Sequence, residues 1–114
     1  MNKFVQVFLG SRGILEEVEL VESELTLNDY YEDIVEKIKD EMKEDCEDEE
    51  DLEFMTEFVN LENHEGFSIV GLNEEEYLVV FDFKDDEELC KKLLKFWKNQ
   101  DEDSIRNIVD NLQF

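Results

Sequence analysis

The sequence lacks several residue types that most domains use freely. It has no proline, no alanine and a single histidine. Without alanine, the strongest helix former, any helix here must depend on capping, charge and packing. Its two cysteines, Cys46 and Cys90, match no metal or redox spacing, so free, reduced thiols are expected.

Positive charge is also scarce. Eleven lysines and arginines face thirty-four aspartates and glutamates, giving a formal net charge of −23. Solubility needs a magnitude of only about 2–8 in a small domain, and the excess repels itself at a cost in stability. The charge is therefore predicted to serve function, although a halophilic or merely very soluble protein would carry it too. Its sign disfavours direct binding to nucleic acid or to an anionic membrane and favours basic proteins.

Long apolar runs are absent as well. The run Phe4–Leu9 is too short for a signal peptide, and no segment reaches the ~20 apolar residues of a membrane span. Nine phenylalanines, three tyrosines, a tryptophan and a 41% hydrophobic fraction nevertheless argue for a folded core. The sequence thus predicts one cytoplasmic domain over residues 1–114 with no membrane contact.

The N-terminal half predicts a hairpin and a helix. Two β-branched stretches, Lys3–Leu9 and Ile14–Val21, flank the turn signal Gly10–Gly13. A helix should follow, capped by Thr26 or Asn28, because one apolar stripe continues at helical spacing: Tyr31, Ile34, Val35, Ile38 and Met42.

The middle of the chain is ambiguous. A turn near Cys46-Glu47 and a short helix from about Glu49 to Val59 are expected, while a strand over Met55–Leu61 competes with that helix. A turn is predicted at Asn63–Gly66. The strands Phe67–Gly71 and Tyr77–Phe83 then form the clearest hairpin.

Two helices are predicted at the C-terminal end. Their apolar stripes are Leu89, Leu93, Phe96 and Trp97, then Ile105, Ile108, Val109 and Leu112. The predicted fold class is α+β, in the order ββα(α)ββαα. In it, two hairpins form a four-stranded antiparallel sheet with three to four helices on one face.

No group of residues predicts catalysis. His64 lies in a predicted turn without a nucleophile beside it, and the acids around Cys46 would raise its thiol pKa. A calcium loop beginning at Asp45 fails at its diagnostic positions, which hold Glu50 instead of glycine and Thr56 instead of glutamate. We therefore expect no catalytic, metal or cofactor site, and a protein that is not an enzyme.

The acids themselves are the strongest signal. Six lie among the seven residues from Asp45 to Asp51. On a helix they would present one charge per ~1.7 Å, the density of duplex DNA along its axis, although a solvated surface would have the same composition. The predicted partner-binding residues are Asp45, Glu47, Asp48, Glu49, Glu50, Asp51, Glu53, Glu74, Glu75, Glu76, Asp85 and Asp86.

The whole profile resembles that of phage-encoded DNA-mimic inhibitors, including anti-restriction and some anti-CRISPR proteins. The likeness is one of size, acidity and aromatic content, with no shared motif. It implies a non-enzymatic inhibitor, a monomer or small homo-oligomer, that occupies the nucleic-acid-binding surface of a nuclease or CRISPR effector. Two alternatives are an immunity protein that neutralises a basic toxin nuclease, in the manner of barstar-like inhibitors, and a weak calcium-binding or solubilising domain.

Overall fold

Five strands form one antiparallel sheet in a computed structural model that describes residues 1–45 and 47–112. The strand order across the sheet is β2-β1-β5-β4-β3. The strands are β1 (Asn2–Leu9), β2 (Leu15–Ser23), β3 (Leu61–His64), β4 (Phe67–Gly71) and β5 (Tyr77–Asp82). The two predicted hairpins are both present, β1 with β2 and β4 with β5.

The predicted four-stranded sheet is wrong by one strand. Within the predicted turn Asn63–Gly66, only Glu65 and Gly66 turn, with Gly66 at a φ of 87°. The residues before them form β3, whose Leu61 lies opposite Val70. The element order is therefore ββααβββαα.

Four helices are formed within the described residues: α1 (Leu27–Asp45), α2 (Glu49–Thr56), α3 (Glu87–Lys98) and α4 (Glu102–Asp110). The predicted helix near residue 49 is confirmed, although it ends at Thr56, and the competing strand over Met55–Leu61 is wrong. No described helix has both the length and the apolar character that a membrane crossing requires.

The helices cover both faces of the sheet, not one as predicted. Val5 and Val7 of β1 share a core with the residues of α3 and α4, whereas Phe4 shares a second core with Tyr31 and Val35 of α1. Alternate residues of a strand point to opposite faces, so β1 supplies both cores. In β5 the consecutive residues Val79, Val80 and Phe81 are all buried, as expected for a strand covered on both sides.

The strand directions define two ends of the molecule. Leu9 lies opposite Tyr77, so the β1–β2 turn and the β4–β5 loop share one end, which we call the α2 end. Phe4 lies opposite Asp82 at the other end, called here the opposite end. At Gly71 a Cβ atom would collide with the backbone oxygen of Phe58, so glycine lets the segment after α2 lie against the sheet.

Candidate protein-binding surface

The first predicted acidic set lies on the last residue of α1, the following turn and α2. The seven residues from Asp45 to Glu53 that were predicted to bind a partner are all exposed. Asp48 begins α2 by accepting a hydrogen bond from the Glu50 backbone N–H at 3.1 Å. Three acids then occupy the first turn, where the helix dipole favours negative charge. The same acids therefore start the helix and present charge to solvent.

The second set, Glu74–Glu76, lies in the β4–β5 loop. Its shape is held by Asn73, whose Oδ1 accepts the backbone N–H groups of Glu75 and Glu76, each at 2.9 Å. Ser11 of the β1–β2 turn donates its hydroxyl to Glu75 Oε2. Glu74 and Glu75 are exposed and Glu76 is half-buried. These hydrogen bonds give the acidic loop a defined position at the α2 end.

A groove of about 410 Å³ lies between the helices α1 and α2 and the β4–β5 loop. Met42 of α1 and Met55 of α2 line one side of it, and Asn73 with Glu74–Glu76 lines the other. The groove therefore places the end of α1, α2 and the β4–β5 loop next to one another. Eight of the twelve predicted partner-binding residues belong to these segments, and two more, Glu47 and Asp48, lie in the turn between α1 and α2.

The other two predicted residues, Asp85 and Asp86, lie elsewhere. They follow β5, which runs from the α2 end to the opposite end over six residues, or roughly 20 Å. Asp86 caps α3 by accepting the Leu89 backbone N–H at 3.1 Å. Asp85 lines a separate pocket of about 320 Å³ with His64 and Asp82. The twelve acids therefore do not form one continuous surface.

Two exposed apolar residues of α2 were missed as site residues. Phe54 is 57% exposed and Met55 43% exposed, and no residue of α2 is fully buried. The Phe54 ring meets that of Phe58 edge-on, with centroids 5.5 Å apart. A signal existed in the sequence: at 100° per residue, Phe54 lies about 200° around the helix from Leu52. It therefore falls outside the stripe that packs inward.

His64 is not the turn residue that the sequence predicted. It ends β3, is half-buried and stacks on Phe67, with ring centroids 5.0 Å apart and planes 10° apart. Its Nε2 lies 3.5 Å from a carboxylate oxygen of Glu62. The buried hydroxyl of Ser68 donates to Asn63 Oδ1 at 2.8 Å, so it is engaged away from the imidazole.

Cys90 is fully buried, with its Sγ 3.7 Å from the Phe81 carbonyl oxygen. Burial, with smaller contributions from Asp86, Asp82 and Asp85, raises the pKa of this thiol to about 12, which keeps it protonated and unreactive. Cys46 lies outside the described residues. Across residues 1–45 and 47–112, no three His, Cys, Asp or Glu side chains are placed to hold a metal ion together.

Comparisons of the chain with protein-family models, with curated protein sequences and with solved structures found no match. The surface at the α2 end is therefore interpreted from its own geometry and charge.

Proposed function

We propose that this protein is a non-enzymatic inhibitor that binds the basic, nucleic-acid-binding surface of a target protein through its α2 end. One observation carries the proposal: Glu74–Glu76 line the groove at the α2 end, no basic side chain lines it, and seven further exposed acids lie on the end of α1, the following turn and α2. The proposed targets are nucleases, CRISPR effectors and other proteins with nucleic-acid channels.

The physical argument rests on competition for basic residues. A nucleic-acid channel presents lysines and arginines that neutralise phosphates. Carboxylates form charge-assisted hydrogen bonds with the same side chains, so an acidic surface that reaches them excludes the nucleic acid. A net charge of −23 would also accelerate the encounter with a basic partner, in a manner that salt suppresses.

The way in which the fold holds the acidic residues in position supports this role. The acids of α2 are fixed to a capped helix, and those of the β4–β5 loop are held by Asn73 and Ser11. A positioned array loses less conformational entropy on binding than a disordered acidic tail would. The folded core thus gives the acids an advantage that composition alone does not provide.

Capture from a lysate of the source cell tests the proposal. The immobilised protein should retain nucleic-acid-binding proteins at about 50 mM salt and lose most of them at about 200 mM. Added duplex DNA should displace the retained proteins, because both ligands would occupy one surface. If no nucleic-acid-binding protein is retained at either salt concentration, or if DNA displaces none, the proposal is wrong.

A further inference from the structure

The apolar side chains at the α2 end need an explanation that charge does not supply. Phe54 and Met55 are neighbours on α2, and Phe54 is the one aromatic residue among the large exposed hydrophobics of the described chain. Leaving apolar surface in water forgoes the free energy that its burial would provide. In binding surfaces, exposed aromatic residues are the ones that most often anchor a partner.

The groove beside these residues has two unlike sides. Met42 and Met55 provide flexible, polarizable thioethers, whereas Glu74–Glu76 provide carboxylates. An occupant that satisfies both sides needs an aliphatic stem that ends in a cation. Lysine and arginine side chains both have this form.

Arginine fits the surroundings better than lysine. Its planar guanidinium pairs with a carboxylate through two parallel hydrogen bonds and also stacks on aromatic rings. Phe54 lies beside Met55 on α2 but does not line the groove, so the two-bond pair with the carboxylates of Glu74–Glu76 is what favours arginine here. An ammonium group makes neither the two-bond pair nor the planar stack, so it gains less from the same site.

We propose that the α2 end binds an arginine-bearing segment of a protein partner, with an arginine stem against Met42 and Met55, its guanidinium on Glu74–Glu76 and apolar partner surface on Phe54. This inference rests on the proposed function, since it names how the basic partner is recognised. It differs from recognition by charge density alone, which would treat lysine and arginine alike.

A second copy of this chain is a poor occupant. Two bodies of charge −23 repel each other, most strongly where their acids meet. The chain has only two arginines, Arg12 and Arg106, and both line a different cavity with Asp110.

Two peptide probes of equal length and equal charge test the proposal, one rich in arginine and one rich in lysine. Binding is measured by calorimetry at about 150 mM salt, where long-range attraction is screened. The arginine peptide should bind roughly fivefold more tightly, the ratio expected from the second of the two parallel hydrogen bonds to a carboxylate. Equal affinities would overturn the proposal.

The methionine methyl groups report where the peptide binds. The chain has three methionines. Two line the groove, whereas Met1 lies with Lys84 and Lys91 at the opposite end and serves as an internal reference. In protein labelled at these methyl groups, the arginine peptide should shift the NMR signals of Met42 and Met55 and leave that of Met1 in place. Binding without a shift at Met42 and Met55 would place the peptide elsewhere and contradict the proposal.

A matched pair of variants completes the test. The double change Glu74→Gln and Glu76→Gln should abolish the preference for arginine, because an amide cannot form the two-bond pair that a carboxylate forms with a guanidinium. The control is the double change Glu22→Gln and Glu24→Gln, which removes two exposed carboxylates at the opposite end, and the preference should persist in it. Loss of the preference in the control, or its survival in the groove variant, would contradict the proposal.

Two further outcomes separate this inference from its alternatives. Concentration-dependent shifts of Met42 and Met55 without peptide would indicate a second copy in the groove and overturn the proposal. If DNA-displaceable proteins are captured from the lysate but arginine is not preferred, the proposed function stands and the groove inference fails. If arginine is preferred but no such protein is captured, the groove inference stands and the proposed function fails.

Discussion

Two short helices of this protein, α2 and α4, have the same capping and first-turn charge but differ in burial. α2 has eight residues and α4 has nine, and each follows an aspartate whose carboxylate accepts a backbone N–H, Asp48 in one case and Asp101 in the other. Both have acidic first turns and no basic residue in the last turn. Yet α4 buries Ile105 and Val109, whereas α2 buries no side chain.

The difference shows that one feature of the sequence makes a segment helical and another determines whether the helix is buried. Capping and acidic first turns make both segments helical. The spacing of apolar residues then determines whether each helix is buried. Ile105 and Val109 are four residues apart and lie on one face of α4, whereas Phe54 lies on a different face of α2 from Leu52. α4 thus stabilises the fold, and α2 exposes charge and apolar surface to solvent.

The largest expected effect tests this division directly. Ile105→Ala should lower the free energy of unfolding by about 2–5 kcal/mol, because it leaves a cavity in a fully buried site. Phe54→Ala should change it by less than about 0.5 kcal/mol, since the ring is mostly in water. Chemical denaturation measures both. Comparable losses would mean that α2 supports the core and would remove the basis for treating it as a binding surface.

Neutralising α2 and its preceding turn should affect binding instead of stability. Replacing Glu47, Asp48, Glu49, Glu50 and Asp51 by Gln or Asn brings the net charge from −23 to −18. Affinity for a captured basic partner should fall at least about tenfold, with a weaker dependence on salt. The melting temperature should stay the same or rise, because self-repulsion falls. A sharp drop in melting temperature would show that these acids are structural.

The control for that variant changes the same charge elsewhere. Five exposed glutamates lie away from the α2 end, at the end of β2, in the first half of α1 and in the first turn of α3: Glu22, Glu24, Glu32, Glu87 and Glu88. Replacing them by Gln also gives a net charge of −18. If this variant loses as much affinity as the first one, net charge determines binding and the α2 end has no special role.

The helix caps should produce a smaller contrast. Asp101→Ala should cost about 1–2 kcal/mol, since the Asp101 carboxylate accepts both the backbone N–H and the hydroxyl of Ser104 and α4 packs on the core. Asp48→Ala should cost less than about 0.5 kcal/mol, because α2 buries no side chain and one repelling charge is removed. Asp48→Asn and Asp101→Asn keep the cap and serve as controls. Equal costs for the two alanine variants would contradict the distinction between the helices.

Most of the fold was predictable because its elements have strong periodic patterns. The stripes of α1, α3 and α4 and the two hairpins are each supported by several apolar residues at the correct spacing. β3 was missed because Leu61–His64 has only one strongly apolar residue and lies at the edge of the sheet, where one neighbour suffices. The second core was missed although Val79–Phe81 signalled it, since a continuous apolar run indicates a strand covered on both faces.

The sequence was enough to predict that the residues of the candidate surface are exposed, but not which of them lie close together. Charged residues seldom enter a core, so the sequence sufficed to place these acids in solvent. It did not reveal which of them meet, because Glu74–Glu76 and Asp85–Asp86 both adjoin β5 in the chain. Only the strand direction sends the first set to the α2 end and the second to the opposite end. Phe54 was overlooked because its acidic neighbours dominate the local composition.

The smallest expected effect concerns Cys90, which shares a core with Ile105 and Val109. Its folded-state pKa of about 12 lies above the ordinary value of 9.0, so its contribution to stability is complete below about pH 9 and is lost as the pH rises toward 12. Burial also raises the pKa of Tyr31, which adds a loss above about pH 10. Between pH 9 and 10 the decline in stability should therefore come mainly from Cys90 and should disappear in Cys90→Ala.

The rate at which a thiol reagent labels Cys90 tests the same core. In a Cys46→Ser background at pH 8, this labelling should be slow. It should be faster with Ile105→Ala and unchanged with Phe54→Ala, because only the first change loosens the core around the thiol. Equal acceleration by both changes would show that α2 protects the same core as α4.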